Sequence, residues 1–250
     1  MTAVLETRAL LKQFGGITAT DHVSFSLRKG ARHALIGPNG AGKTTFVNLL
    51  TGVLRPTSGT VILNGENITG LSCETRVKRG MARTFQINQL FPTMTPLQMI
   101  AAVTSERLGA GSHPFRSLDA HSSLVTGTAD ILARFRLEDI MDEPIATLPY
   151  GKQRQVEIAA AFAAKPSVLL LDEPAAGVPE AERRELLETV ASLPADVSVL
   201  LIEHDMDLVF RFATWITVQV NGQVLAEGDP AMIAQDPAVR AAYLGEAAHG

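Results

Sequence analysis

Apolar and polar residues follow two different periods along the chain, and the changes between them predict the order of elements. Residues 20–27 (TDHVSFSL) alternate with the period of two that is typical of a strand, and residues 32–37 (RHALIG) form a short apolar run that ends in glycine. Residues 43–50 (KTTFVNLL) have helical spacing, and residues 61–68 (VILNGENI) predict a strand followed by an Asn-Gly turn. The first part of the chain is therefore expected to contain strands with one crossover helix.

The middle of the chain has a different texture. Between residues 88 and 147, prolines and threonines come first, and a stretch containing Gly, Ser and His follows at 109–123. Residues 129–137 (ADILARFRL) then have the spacing of an amphipathic helix. We expect an inserted, mainly helical subdomain here.

The second half alternates between helical patterns and apolar runs. Residues 155–164 and 179–193 predict helices, and residues 167–173 (SVLLLDE) and 197–203 (VSVLLIE) predict buried strands. Helices that alternate with apolar runs rich in β-formers are typical of a parallel sheet covered on both faces. The fold class is therefore expected to be α/β.

Composition narrows the class of protein. The 250 residues are 46% apolar and 19% charged, with a formal net charge of -4 and a single cysteine, Cys73. A chain of this kind buries a large core, so disorder and disulfide-stapled scaffolds are excluded. A mildly acidic chain has no electrostatic reason to bind nucleic acid, so we expect no nucleic-acid partner.

One uncharged stretch, residues 87–105, is long enough to raise the question of a membrane span. Pro92 and Pro96 argue against one, because a broken backbone would leave polar groups unsatisfied in lipid. Charges at Glu6 and Arg8 likewise leave the amino-terminal segment without the apolar core of a secretory signal. We therefore expect a cytoplasmic protein.

The most specific motif is GPNGAGKT, from Gly37 to Thr44. It fits the phosphate-loop pattern, in which glycines turn backbone N–H groups toward a polyphosphate and the following helix presents its positive end. Lys43 is expected to reach the β- and γ-phosphates, and the Thr44 hydroxyl to ligate Mg²⁺. The alternative, a glycine-rich turn without a ligand, is weakened by the predicted strand and helix on either side.

A second motif, VLLLDEP, runs from Val168 to Pro174. It combines an apolar strand with two carboxylates at its carboxyl end, which is where ligands bind in parallel sheets. Asp172 is expected to hold Mg²⁺, and Glu173 to orient and deprotonate an attacking water. The alternative is an acidic pair that caps a helix, and the presence of a phosphate loop disfavours it.

With these two motifs in place, nearly the whole chain resembles the ATP-binding-cassette (ABC) ATPases. Gln86 in ARTFQ matches that family's Q-loop glutamine, which contacts Mg²⁺ and the attacking water. His204 in LIEHD matches the switch histidine at the γ-phosphate, and Phe14 in KQFGG matches the aromatic residue that stacks on adenine.

The resemblance implies a P-loop NTPase cassette with an antiparallel β subdomain and an inserted α-helical subdomain. Residues 1–87 and 165–250 would form the ATP-binding core, and residues 88–164 the helical subdomain with the signature loop. The implied catalytic residues are Glu173, His204 and Gln86, and the implied Mg²⁺ ligands are Thr44, Gln86 and Asp172. The implied ATP-binding residues are Phe14, Gly37, Pro38, Asn39, Gly40, Ala41, Gly42, Lys43, Thr44, Thr45, Leu148, Gly151 and Lys152.

The segment LPYGKQ, which starts at Leu148, lies where the family carries its signature LSGGQ, a loop that binds the γ-phosphate held by the other subunit. Leu148 and Gly151 match the signature, whereas Tyr150 replaces a glycine and Lys152 the glutamine. Pro149 stands in the serine position and supplies neither a hydroxyl nor an N–H. We therefore expect the composite site that uses this chain's signature to be the weaker one in a heterodimer.

A single phosphate loop implies pairing with a second cassette, identical or related, because the family's active unit holds ATP between two cassettes. Longer strings, among them GMARTFQINQLFPTMT, DEPAAGV and the ending AYLGE, are similar to the ATPases of branched-chain amino acid importers. In those importers two membrane permeases and a substrate-binding protein complete the complex. The chain would then lie on the inner face of the cell membrane.

Several alternatives stay open. Related cassettes for urea, short amides or aromatic acids share much of the pattern. A cassette ATPase without a transport role would be expected to carry long coiled coils or two cassettes, and a regulatory module that only binds nucleotide does not need an intact Lys43, Asp172, Glu173 and His204. The Asn-Lys-x-Asp motif of guanine-nucleotide switches is absent from the sequence.

Overall fold

The structure is a computed structural model that describes residues 2–84, 90–109 and 118–244. Packing divides the chain into two units. The first contains Met1–Arg83, Ser167–Glu173 and Pro194–Gly250, and the second contains Thr84–Pro166 and Pro174–Leu193.

The described strands all lie in the first unit and form two sheets. In chain order they are β1 (Ala3–Phe14), β2 (Ile17–Arg28), β3 (Arg32–Ile36), β4 (Ser58–Leu63), β5 (Glu66–Asn67), β6 (Met81–Arg83), β7 (Val168–Asp172), β8 (Ser198–Ile202), β9 (Trp215–Val220) and β10 (Gln223–Gly228).

The described helices are divided between the units. In chain order they are α1 (Lys43–Thr51), α2 (Cys73–Lys78), α3 (Pro96–Leu108), α4 (Leu118–Arg134), α5 (Tyr150–Ala163), α6 (Glu180–Ala191), α7 (Met206–Phe212), α8 (Pro230–Gln235) and α9 (Pro237–Leu244). Short 3-10 helices cover Glu138–Ile140 and Ile145–Thr147.

One sheet is antiparallel, with the order β2-β1-β4-β5. Its β4–β5 connection is the Asn-Gly turn that the sequence predicted. Asn64 and Gly65 both have positive φ angles, 51° and 81°, as the tightest hairpin turns require. The antiparallel sheet expected for the fold class is thus confirmed.

The other sheet has the order β10-β9-β3-β8-β7-β6. Its strands run parallel from β9 to β6, and β10 joins one edge antiparallel to β9. β7 and β8 are buried along their whole length, as the continuous apolar runs predicted. Together with the helices, this sheet confirms the α/β class.

Side chains from both sheets pack with α1 in one apolar cluster that includes Leu35, Leu49 and Leu200. The rings of Phe25 on β2 and Phe46 on α1 meet edge to face, with centroids 5.6 Å apart. The helix that follows the predicted phosphate loop is therefore held from two sides.

Arg76 on α2 fixes the far end of α1. Its guanidinium is fully buried and donates hydrogen bonds to four carbonyl oxygens, those of Leu49, Leu50, Thr69 and Leu71. Burial lowers the pKa of this guanidinium from its ordinary value. The cation supplies donors to the last carbonyls of α1 and favours the negative end of its dipole.

The second unit is helical, as expected for the inserted subdomain. Within it, α3, α4 and α5 pack against one another and α6 packs on α5. The rings of Phe135 after α4 and Phe162 on α5 are in contact at a tilt of 54°, with centroids 5.7 Å apart. The unit also contains residues 174–193, which lie outside the segment 88–164 predicted as the helical subdomain.

Some elements have no counterpart in the sequence predictions. β1 is a twelve-residue strand whose register against β2 shifts several times, so its apolar residues do not alternate strictly. α5 begins at Tyr150, five residues before the predicted helix, because the signature segment itself is helical.

Within the described part of the chain, no helix is both long and apolar enough to cross a membrane.

His33 on β3 is a buried histidine held in one neutral form. Its Nε2 lies 2.8 Å from the Thr217 hydroxyl, which donates its only proton to Glu227 at 2.6 Å, so Nε2–H must be the donor to Thr217. Burial, with a smaller contribution from the nearby positive charge of Arg28, lowers the pKa of His33 to about 3.

This depressed pKa predicts a loss of stability in mild acid. The unfolded chain binds a proton at the His33 position below about pH 6.5, whereas the folded protein does not until about pH 3. The free energy of unfolding should therefore fall by about 1.4 kcal/mol per pH unit in this window from His33 alone. Denaturant unfolding of His33→Gln between pH 7 and 5 should show a shallower decline than the unmodified protein. His22→Gln, at an exposed histidine, is the control, and equal slopes in all three proteins would contradict the assignment.

Candidate functional site

The loop between β3 and α1 is held close to two strands. Gly37 has a φ of 153° and Gly42 a φ of 96°. A Cβ at Gly37 would collide with the carbonyl oxygen of Gln219 on β9, and one at Gly42 with the carbonyl oxygen of Ala19 on β2. Only glycine permits this approach of backbone to backbone, so the two glycines set the shape of the loop.

The loop ends in a cation at the start of α1. The Lys43 ammonium donates hydrogen bonds to the carbonyl oxygens of Gly37 at 2.5 Å and Pro38 at 2.9 Å. Gly42 caps the helix without a side chain, and the first turn carries no acidic residue. The N–H groups of that turn and the Lys43 charge together suit an anionic ligand such as a polyphosphate.

A cavity of about 500 Å³ opens over this loop, within the size range of small-molecule sites. It brings most of the predicted phosphate-loop residues together with Glu173. Its lining residues are Ile17, Thr18, Ala19, Asn39, Gly40, Ala41, Gly42, Lys43, Thr44, Thr45, Glu173, Asn221 and Gly222.

Phe14, predicted to stack on adenine, is not among the residues that line this cavity. It pairs across the β1–β2 hairpin with Ile17, which does line the cavity. The Phe14 ring is about half exposed, and the Lys12 ammonium lies 4.9 Å from its centroid.

Asp172 and Glu173 stand at the carboxyl end of β7. The Asp172 side chain is 11% exposed, and its Oδ2 accepts a hydrogen bond of 2.6 Å from Arg83 at the end of β6. Glu173 has a φ of 45°, an uncommon conformation for a residue other than glycine. Its N–H donates to the Ile202 carbonyl at 2.9 Å, which fixes this strained backbone at the lip of the cavity.

His204 lies beside two carboxylates at the end of β8. Its Nδ1 is 3.8 Å from Glu173 Oε1 and 3.7 Å from Glu203 Oε2, and its backbone N–H donates to Glu203 at 3.1 Å. The His204 side chain is 65% exposed, whereas Glu203 is 2% exposed. The predicted base and the predicted switch histidine are therefore neighbours.

The structure adds residues that the sequence reasoning missed. Arg83 contacts Asp172, Glu203 contacts His204, and two backbone stretches, 17–19 and 221–222, complete the cavity. Arg83 in GMAR and Glu203 in LLIE each end an apolar run with a charged residue. That pattern was the signal in the sequence that could have identified them. Residues 17–19 at the start of β2 and residues 221–222 in the β9–β10 turn carry no such signal.

The oxygen donors near the loop fit a magnesium ion. Thr44 offers a hydroxyl and Asp172 a carboxylate, both hard oxygen ligands. No group of three or more His, Cys, Asp or Glu side chains suited to a metal occurs among the residues described. Mg²⁺ in nucleotide sites usually takes only one or two protein ligands and fills its shell with water and phosphate oxygens. Gln86, the third predicted ligand, lies outside the described residues.

The signature segment belongs to the second unit. Pro149 is the N-cap of α5, and Leu148 just before it is buried. The Lys152 ammonium lies 3.3 Å from Glu185 Oε1 on α6. A Cβ at Gly151 would collide with the carboxylate of Glu182, also on α6. Two acidic side chains thus lie against the start of this helix.

Comparisons with known proteins agree with this geometry. A family described as ABC transporter matches residues 20–176, and one described as branched-chain amino acid ATP-binding cassette transporter matches residues 223–249. The chain is 39% identical to the high-affinity branched-chain amino acid transport ATP-binding protein LivG of Salmonella typhimurium, and 38% identical to BraF, described in the same words, of Pseudomonas aeruginosa. Each comparison covers 98% of both chains.

A solved structure gives the same result. The ADP conformation of an ATP-binding cassette of an ABC transporter matches with a TM-score of 0.83 and 30% identity, covering 98% of this chain and 100% of that one. The chain therefore belongs to the ATP-binding proteins of ABC transporters. It is a nucleotide-binding ATPase subunit of the ABC type, as the resemblance implied.

The close approach at Gly42 leads to a prediction. Alanine there must both adopt a positive φ, which costs about 1–2 kcal/mol, and displace the loop from Ala19. Gly42→Ala should therefore weaken binding of a fluorescent ATP analogue at least about tenfold and lower the melting temperature. Gly65→Ala, at a φ of 81° with open space around its Cβ, is the control for backbone strain alone. Equal ATP affinity in the two variants would show that the packing at Gly42 does not shape the site.

Proposed function

We propose that this protein is the ATP-hydrolysing subunit of an importer for branched-chain or closely related amino acids, acting through separate membrane permeases. The observation that carries the proposal is a cavity lined by residues 39–45 and Glu173, with His204 Nδ1 3.8 Å from Glu173 Oε1. The substrate class is supported by the match of residues 223–249 to the branched-chain family and by the names of its relatives.

In this proposal ATP lies along the loop, with its phosphates on the N–H groups at the start of α1. Lys43 would exchange its two carbonyl partners for the β- and γ-phosphates, which are stronger acceptors because they are charged. Adenine would extend toward the β1–β2 hairpin, where Phe14 is the stacking partner and Ile17 adds apolar contact.

Thr44, Asp172 and Gln86 would hold Mg²⁺, which neutralises phosphate charge and polarises the γ-phosphate when it is bound. Glu173 would accept a proton from the attacking water, and its backbone bond to β8 holds it at the cavity. His204 would contact the γ-phosphate. Glu203 donates no proton in this scheme. Its carboxylate accepts a hydrogen bond from the backbone N–H of His204 and so keeps the histidine in place.

The site requires a second cassette, identical or related, whose signature loop closes over the γ-phosphate. In return, this chain offers Leu148, Gly151 and Lys152 to its partner's ATP. Closure of the two cassettes on ATP would be transmitted to two permeases through the region near the Q-loop. A substrate-binding protein would deliver the amino acid. The subunit would then lie peripherally on the inner face of the cell membrane, with no nucleic-acid partner.

A cassette for urea, amides or aromatic acids is the nearest alternative. The ATP site does not discriminate among these substrates, because the transported molecule never touches it. The carboxy-terminal match is the feature that favours branched-chain amino acids.

Transport by the reconstituted complex tests this function. Proteoliposomes that contain this chain, its partner cassette, the permeases and the binding protein should take up leucine with ATP, and neither urea nor benzoate. Glu173→Gln should retain ATP binding and lose hydrolysis and uptake by at least about 100-fold, the contribution of a positioned base. Glu66→Gln, at an exposed carboxylate paired with Arg79, should behave as the unmodified protein. Hydrolysis by Glu173→Gln at the unmodified rate would refute the base, and uptake of urea alone would refute the substrate class.

Pro149 gives a second prediction. A serine there supplies a hydroxyl and an N–H at the cap of α5, where Pro149 makes no side-chain hydrogen bond. Pro149→Ser should raise ATP turnover of the assembled complex, since the composite site that uses this signature gains a phosphate donor. Pro149→Ala restores only the N–H and should raise turnover less. Identical turnover in all three complexes would show that this signature does not limit hydrolysis.

A further inference from the structure

Arg83 contacts the predicted magnesium ligand Asp172 through its side chain, and neither sequence motif contains it. It ends β6, the edge strand of the parallel sheet, whose neighbour β7 ends in Asp172. One guanidinium nitrogen, Nη2, donates to Asp172 Oδ2 at 2.6 Å. Both side chains are 11% exposed, so the pair is largely shielded from solvent and from salt.

The same guanidinium reaches α1. Its other terminal nitrogen, Nη1, donates to Asn48 Oδ1 at 2.7 Å. Asn48 follows Thr44 by four residues, so the two side chains lie on the same face of the helix, one turn apart. Arg83 therefore ties the strand that carries one predicted magnesium donor to the helix that carries the other.

We infer that Arg83 is a positioning residue for magnesium: it fixes Asp172 against α1 so that the Asp172 carboxylate and the Thr44 hydroxyl are held ready for one ion. The planar guanidinium suits this task because its two terminal nitrogens serve two acceptors in a fixed geometry. It occupies Oδ2 of Asp172 and leaves Oδ1 for the metal or for its water shell. This inference rests on the proposed function, in which Thr44 and Asp172 serve magnesium.

The link thus joins the strand and the helix that carry the two predicted ligands through hydrogen bonds of the protein itself, before any metal binds. Groups that orient metal ligands in this way typically contribute about 10–100-fold to metal affinity.

The test measures metal binding without hydrolysis. Mn²⁺ is titrated into the full-length protein with ATP at low temperature, free Mn²⁺ is followed by electron paramagnetic resonance, and ATP affinity is measured separately in EDTA. Arg83→Gln should weaken Mn²⁺ binding about 10–100-fold while ATP affinity in EDTA is unchanged. Arg83→Lys keeps the charge but not the two terminal nitrogens of the guanidinium, and its Mn²⁺ affinity should lie between those of the unmodified protein and Arg83→Gln.

Asn48→Ala breaks the same link while Arg83 and its charge stay in place. This variant keeps the inference testable if Arg83→Gln unfolds the protein through loss of a buried cation. It should weaken Mn²⁺ binding in the same direction, and the double variant with Arg83→Gln should be no weaker than Arg83→Gln alone, because both act through one connection. Arg79→Gln, which removes an exposed ion pair with Glu66, is the control and should bind Mn²⁺ normally.

Three results would overturn the inference. Unchanged Mn²⁺ affinity in Arg83→Gln or in Asn48→Ala would show that the link does not position a metal ligand. An equal loss of ATP affinity with and without metal would make Arg83 a general structural residue. An ATP affinity of the unmodified protein that is the same with Mn²⁺ as in EDTA would overturn the magnesium role of Thr44 and Asp172 as well, which separates failure of the proposed function from failure of this inference.

Discussion

The site depends on the close approach of one backbone loop to two strands. Gly37 and Gly42 bring the loop against the carbonyl oxygens of Gln219 and Ala19, in positions where any side chain would collide. The strands that carry those carbonyls, β9 and β2, belong to different sheets, so the loop is fixed between both. A loop fixed in this way is already ordered before a phosphate arrives, which reduces the cost of binding.

Parallel strands supply the rest of the chemistry. The last residues of β7 and β8 pair as Asp172 with Ile202, so the residues that follow, Glu173 and His204, emerge at the same edge of the sheet. The backbone bond from Glu173 to Ile202 continues this ladder by one residue, into a strained conformation. Asp172, Glu173 and His204 are thus placed by strand register rather than by a flexible loop.

The signature segment shows how local charges can change the affinity of a cassette for an anion. Its helix begins without a side-chain cap, and Lys152 is paired with Glu185 while Glu182 covers Gly151. Acidic groups near a helix N-terminus weaken its attraction for another anion. If this end meets a partner's ATP as we propose, the chain contributes less there than a serine-containing signature would, which favours assembly with an unlike cassette.

The sequence by itself determined the phosphate loop, the carboxylates at the end of β7, the Asn-Gly turn and the order of about half of the described helices and strands. Each of these features depends on local residue spacing, because a turn or a hydrophobic period involves residues only a few positions apart. It did not predict β1, whose register shifts against β2 hide its alternation, or the short strand β6.

Only the tertiary structure decided which side chains meet. Arg83 and Asp172 are 89 positions apart in the chain, and His33 and Thr217 are 184 apart. The four carbonyls that hold Arg76 belong to two separate stretches of backbone, 49–50 and 69–71. No local period encodes such contacts, because their energy exists only once the sheets have brought distant residues together and excluded water from between them.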